Sequence, residues 1–184
     1  MIDHLTKWAP LPNWSQACLA SEGIEISSVP ALDQHLVSGE LIAFGKQTGV
    51  SPEGVGALAI ASGAAYSVRI ARDRLLVVGV REKLVAGWHH EGFAVTPTSA
   101  GLHVFQLSGK NAFDMVCRAT TIDPANPGPS AATHFAGAMV FLYCHRDKQT
   151  LRLHIDRGLA TYLWSWFCAQ LQLGLAPEND PARR

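Results

Sequence analysis

The feature that most constrains this chain lies near its end, where no residue from Gly158 to Pro177 carries a charge. Read as a helix from Gly158 to Leu173, the run places Leu159, Tyr162, Leu163, Trp166, Phe167 and Leu171 on one side. Trp164 and Cys168 widen that arc and leave only Thr161, Ser165 and Gln172 as a clear polar wedge. A surface helix covers its core with an apolar stripe roughly 100° wide. This arc is broader, so the helix is expected to pack against two bodies at once, the second being another protein chain. Trp164, Cys168 and Leu171 are the residues expected to meet that partner, because aromatic anchors dominate interfaces. The run is long enough to span a bilayer. Thr161, Ser165, Gln170, Gln172 and Gly174 interrupt it, and no membrane role is expected.

Composition points the same way. The 184 residues are 48% hydrophobic and only 16% charged, with zero formal net charge. Globular domains usually carry about 25% charged residues, and a lone domain keeps its net charge away from zero. Sparse charge therefore favours a subunit or oligomer. It also excludes a nucleic-acid binder, which needs Lys and Arg to neutralise phosphates. Cys18, Cys117, Cys144 and Cys168 form no C-x-x-C pair, a reduced pattern that suits the cytoplasm. The first residues hold no apolar run of signal-peptide length.

Taken in order, residues 1–23 read as an irregular N-terminal arm containing Trp8, Trp14, Pro10 and Pro12. Residues 24–173 read as a single α+β domain with halves at about 24–96 and 97–173, and 174–184 as a flexible tail. In the first half, Glu25 to Val29 is a short strand, Pro30 to Gln47 is ambiguous, and Thr48 to Gly56 is a loop. Ala57 to Ala61 is a weak strand. Tyr66, Val68 and Ile70 alternate with polar neighbours, as a half-buried strand should. Leu75 to Val80 is a continuous apolar run suited to a strand covered on both faces. Arg81 to His89 reads as a short helix and Phe93 to Thr96 as a strand stopped by Pro97.

The second half is clearer. Leu102 to Leu107 is a strand, and Ser108 is a candidate N-cap for a helix from Gly109 to Ala119. The proline-rich stretch Thr121 to Ser130 is irregular. Strands follow at Thr133 to His145, with a break near Gly137, and at Thr150 to Asp156. Asp156 is placed to cap the last helix. Strand, helix, strand, strand, helix is most of a split βαβ, ferredoxin-like unit, and the first half is expected to supply the missing strand. The fold is thus read as α+β, two intertwined ferredoxin-like halves with a mostly antiparallel sheet.

Candidate chemistry is thin. His89 and His90 beside Glu91 suggest a metal, but adjacent side chains diverge and no second ligand pair accompanies them. Cys144 beside His145 suggests nucleophile and base, yet on a strand they point to opposite faces. Lys110 and Asn111 open a helix without the glycine spacing of a phosphate loop. Arg69, Arg72, Arg74, Arg81 and Lys83 are interleaved with Asp73 and Glu82 and read as a solvated or subunit-facing surface. No catalytic, cofactor-binding or metal-ligating set is expected.

Four segments carry a family resemblance. Ala71-Arg72-Asp73-Arg74-Leu75-Leu76-Val77-Val78-Gly79 resembles a segment of the sarcosine oxidase γ subunit family. Val95-Thr96-Pro97-Thr98-Ser99, followed by Leu102 to Gly109, resembles the next strand pair with its leucine-serine-glycine turn. Thr121-Ile122-Asp123-Pro124 is similar to an isoleucine-aspartate step, and Leu159 to Trp166 to the tryptophan-punctuated closing helix. The resemblance implies a fold related to the folate-binding domain of the glycine-cleavage T-protein, an aminomethyltransferase. It implies the small γ subunit of a four-subunit enzyme that oxidatively demethylates sarcosine. FAD, FMN, NAD and tetrahydrofolate would belong to the larger subunits, none to this chain. Partners would be those subunits or, alternatively, a second copy in a homodimer. A different-class alternative is a stand-alone folate or small-ligand binder, or a folate-dependent C1 transferase. That reading needs a carboxylate for the pterin ring, and Asp114 and Asp123 are the only candidates.

Overall fold

Two antiparallel sheets, each with helix on its outer face, meet through their inner faces. The computed structural model describes residues 12–80 and 84–174. The first sheet has the order β5 (Tyr66–Ala71), β6 (Arg74–Val78), β3 (Gln34–Gly39), β8 (Phe93–Pro97), β7 (Gly87–His89). Helix α1 (Leu41–Thr48) lies across it, burying Leu41 and Phe44 against Val37, Leu75, Val77, Phe93 and Val95. The other face, with Leu76, Val78, Val68 and Tyr66, turns toward the second sheet. Strand β6 is apolar without alternation because both of its faces are covered.

The second sheet runs β1 (Cys18–Ser21), β2 (Ile24–Ser28), β9 (Leu102–Ser108), β12 (Thr150–Asp156), β11 (Ala138–His145), β10 (Ala132–Phe135). The two-residue β4 (Ile60–Ala61) joins β11 in parallel, an exception to the antiparallel pairing. Helices α2 (Ala112–Ala119) and α3 (Ala160–Gly174) cover its outer face. Phe105, Leu107, Leu142, Leu151, Leu153 and Ile155 pack there against Met115, Val116, Leu163 and Phe167. Each fully buried Leu, Ile or Phe contributes roughly 1.5–3 kcal/mol. Asp156 accepts a 2.7 Å hydrogen bond at Oδ1 from the Gly158 amide, starting the 3-10 turn (Arg157–Leu159) that leads into α3.

Each sheet contains a ferredoxin-like unit. In the second, β9, α2, β11, β12 and α3 follow one another, and β2 supplies the fourth strand beside β9, with Ile26 opposite Leu107. In the first, β3, α1, β5, β6 and β8 give the equivalent strand order, with α1 its helix among the described residues. The fold is the α+β pair of intertwined halves that the sequence predicts. A division near residue 96 does not separate them cleanly, because β1, β2 and β4 serve the second sheet.

Several local expectations are corrected. Cys18–Ser21 is a strand rather than part of an irregular arm, since Leu19 pairs with Ile26 in a hairpin. Residues 1–11 and 175–184, which include most of the expected tail, lie outside the described residues. The ambiguous Pro30–Gln47 stretch resolves into β3 and α1, with Gly39 at φ 106° making the corner. A Cβ there would meet the Gly92 carbonyl at 2.3 Å. Gly87–His89 is an edge strand paired with β8, not helix; residues 81–83 of that expectation lie outside the described residues. Ser108 ends β9 and caps nothing: α2 begins at Ala112 after Asn111, with no side-chain cap.

Candidate functional site: a polar seam and two open cavities

The inner faces of the sheets carry a buried chain of hydrogen bonds. Arg152 Nη1 lies 2.8 Å from the Tyr66 hydroxyl, which lies 2.7 Å from the Tyr143 hydroxyl. The Tyr143 hydroxyl is 2.7 Å from His154 Nε2, and His154 Nδ1 is 2.6 Å from Gln34 Oε1. A guanidinium only donates and an amide oxygen only accepts. The direction is therefore fixed: Arg152 donates to Tyr66, Tyr66 to Tyr143, Tyr143 to His154, and His154 to Gln34. His154 is neutral, with its proton on Nδ1. Complete burial and the nearby Arg152 charge hold its pKa down at about 3. Burial pushes the Tyr143 phenol well above its ordinary value.

Two further histidines are neutral for the same reason. His145, tilted against Tyr66 at 5.6 Å, is lowered to about 4 by burial and by Arg152 and Arg146. His103 accompanies Ser28 Oγ at 3.2 Å and Trp14 at 4.5 Å, and burial with Arg157 lowers it to about 4. The sequence pattern does set Arg152 and His154 opposite the apolar face of β12. What it conceals is that this polar face meets the other sheet rather than water. Clusters of Tyr, His, Arg and Gln on inward strand positions are the only signal, and it emerges only once the sheets are paired.

Trp164, Cys168 and Leu171, the residues expected to meet a partner, lie along one side of α3. Trp164 is half-buried, stacked on Phe105 at 5.9 Å and edge-on to Trp14 at 5.8 Å. Cys168 and Leu171 follow it as a half-buried stripe along α3. Trp166 packs edge-on to Phe135 and Phe167. The broad apolar arc is thus largely met by this chain's own rings, with Leu159 and Tyr162 the large apolar residues left exposed among those described in the segment. The most exposed tryptophan described is Trp88 on edge strand β7, 74% accessible.

His89 and His90 do not converge. His89 stacks on Phe93 at 4.3 Å and reaches the Val85 carbonyl, while His90 turns outward to Glu91 at 3.3 Å. Among the described residues no group of three His, Cys, Asp or Glu side chains is arranged to hold a metal ion. Cys144 is buried in the helix-side core, its thiol pushed up to about 11 by burial, and His145 faces the opposite way. A protonated thiol beside an averted imidazole has no nucleophilic chemistry. Asp114 and Asp123 are both exposed, and Asp123 Oδ1 caps the Ala125 amide.

Two cavities of about 800 Å³ each flank the Glu53–Val55 segment. One lies between the Thr48–Val55 loop, Tyr66 and Val80. The other is walled by Ala57, Leu58, Phe113 and the prolines 124, 127 and 129, with Arg69, Arg72 and Lys148 around it. Arg69 belongs to the basic cluster of the sequence but does not face solvent freely. Its Nε, Nη1 and Nη2 donate to the carbonyls of Glu53, Arg72 and Pro52 at 2.6–2.7 Å.

The fold and site therefore define an α+β double-sheet protein whose sheets close on a polar seam, with two open cavities beside it. Its structure is similar to a chain of the heterotetrameric sarcosine oxidase from Corynebacterium sp. U-96, solved in complex with pyrrole 2-carboxylate. The TM-score is 0.71 at 18% identity, covering 88% of this chain and 91% of that one. At that identity the likeness establishes the fold. No family model and no curated protein matches the sequence. No helix among the described residues is long and apolar enough to cross a membrane.

Proposed function

We propose that this chain is a non-catalytic, γ-type subunit of a sarcosine oxidase-like flavoenzyme, stabilising assembly with larger subunits. The observation that carries the reading is the two-way coverage of the structural match, 88% and 91%. It pairs this chain with a whole chain of comparable length in a four-chain oxidase, not with a domain of a large one. The four sequence segments that resemble the γ family support it independently. The sealed state of Tyr143, His154 and Cys144 agrees, since none is accessible to a substrate. In this reading FAD, FMN, NAD and tetrahydrofolate are held by the partners, and the Trp164, Cys168 and Leu171 stripe of α3 contacts them.

Co-expression with the larger subunits of a sarcosine oxidase encoded beside this chain tests it. A stoichiometric complex that loses sarcosine oxidation when this chain is omitted, while the chain alone is inactive, is the expected result. A monomer indifferent to those subunits overturns it. Titration of the isolated chain with tetrahydrofolate is expected to give no heat.

A further inference from the structure

We propose that the cavity bounded by Arg69, Arg72, Lys148, Phe113 and the proline loop is a binding site for a small organic anion with a flat apolar body. The charge at this cavity is unbalanced. Three cations line it, and the only acid among the lining residues, Glu53, is exposed. The ion pairs between described residues, His90–Glu91 and Lys110–Glu22, use none of the three. Arg69 is the telling group, because it is half-buried and all three of its hydrogen bonds go to neutral carbonyls. A guanidinium has five N–H donors, so two remain on a fork fixed in place before any ligand arrives. Such a preorganised fork is suited to a carboxylate.

The rest of the cavity is apolar and rigid. Phe113, Leu58 and Ala57 form one wall and the prolines another. Gly56 lies so close to the proline loop that a Cβ would meet the Gly128 carbonyl at 2.8 Å. Ser130 Oγ donates to the Ile70 carbonyl and the Ala131 amide to that of Arg69, tying the loop to β5. A volume of about 800 Å³ falls within the usual range for small-molecule pockets. The absence of a buried carboxylate on the lining sets this site apart from one built for a pterin ring.

Calorimetric titration of the full chain with three probes of one shape tests the assignment: 2-naphthoate, neutral 2-naphthamide and cationic 2-naphthylmethylamine. The carboxylate is expected to bind about tenfold or more tightly than the amide, and the amine not at all. Arg72→Ala combined with Lys148→Ala should reduce that preference by about tenfold while leaving the thermal midpoint unchanged, as both side chains are exposed. Equal affinity for carboxylate and amide, an unaltered preference in the double variant, or no binding of the carboxylate would each overturn the site. The measurement needs no partner subunit, so its outcome is independent of the assembly reading.

Discussion

The hydroxyls of Tyr66 and Tyr143 meet at 2.7 Å across the gap between the two sheets, joining an edge strand of one to an inner strand of the other. Each hydroxyl donates once and accepts once in a chain whose direction the Gln34 amide oxygen imposes through neutral His154. A seam of this kind gives orientation as much as stability, because every group in it has one acceptable partner.

Tyr143→Phe removes the middle link and strands the Tyr66 hydroxyl and His154 Nε2 in the interior. The expected cost is about 1–3 kcal/mol, read as a lowered urea midpoint. Combining it with Tyr66→Phe should cost less than the sum of the two, since both act on one network. Strict additivity would mean the hydroxyls work separately.

His154 makes stability depend on pH. Its pKa is about 3 in the folded chain against 6.5 ordinarily, so the unfolded chain binds the extra proton first. The contribution is complete above about pH 6.5 and is lost as the pH falls toward 3, by about 1.4 kcal/mol per unit. Protonation would also force Nε2 to donate to Tyr143 and leave the seam with one hydroxyl proton lacking an acceptor. His154→Gln should flatten the fall in thermal midpoint between pH 6.5 and 4. The remaining slope belongs in part to His103 and His145, lowered in the same direction.

Gly79 ends β6 at φ 80°, and a Cβ there would meet the Ala64 carbonyl at 1.9 Å. Gly79→Ala combines backbone strain with a collision against main chain. It should destabilise by more than about 1 kcal/mol, whereas Gly87→Ala, at φ 120° with nothing within 4 Å, carries only the strain. Paired denaturation curves separate the two.

Trp164 and Trp88 should behave oppositely. Trp164→Glu places a charge against Phe105 and Trp14 and should unfold or strongly destabilise the chain, seen as a collapsed circular-dichroism melt. Trp88→Ser, on an exposed edge, should change stability by less than about 0.5 kcal/mol. If Trp88→Ser nonetheless weakens co-purification with the large subunits, edge strand β7 joins the α3 stripe as a contact.

The sequence made the two-half architecture legible because β5 and β12 alternate, β6 is a continuous apolar run and Asp156 sits where a cap belongs. Arg81 to His89 misled because Val85 and Trp88, large apolar residues, are exposed on a connection and an edge strand. Ser108 misled because a strand-ending serine and a capping serine look alike until Gly109 is seen turning at φ 108° against Gly23. The breadth of the α3 arc was visible, but not that Trp14, distant in sequence, supplies a ring to cover it. The seam stayed hidden for the same reason: Gln34 and His154 are 120 residues apart.

That β2 completes the later half has a consequence for how the molecule is made. Ile26 leaves the ribosome before any strand of the first sheet, yet its neighbour Leu107 emerges only after the whole of that sheet. The N-terminal hairpin must wait unpaired through that interval, and clipping it would injure the C-terminal half while sparing the sheet next to it in sequence.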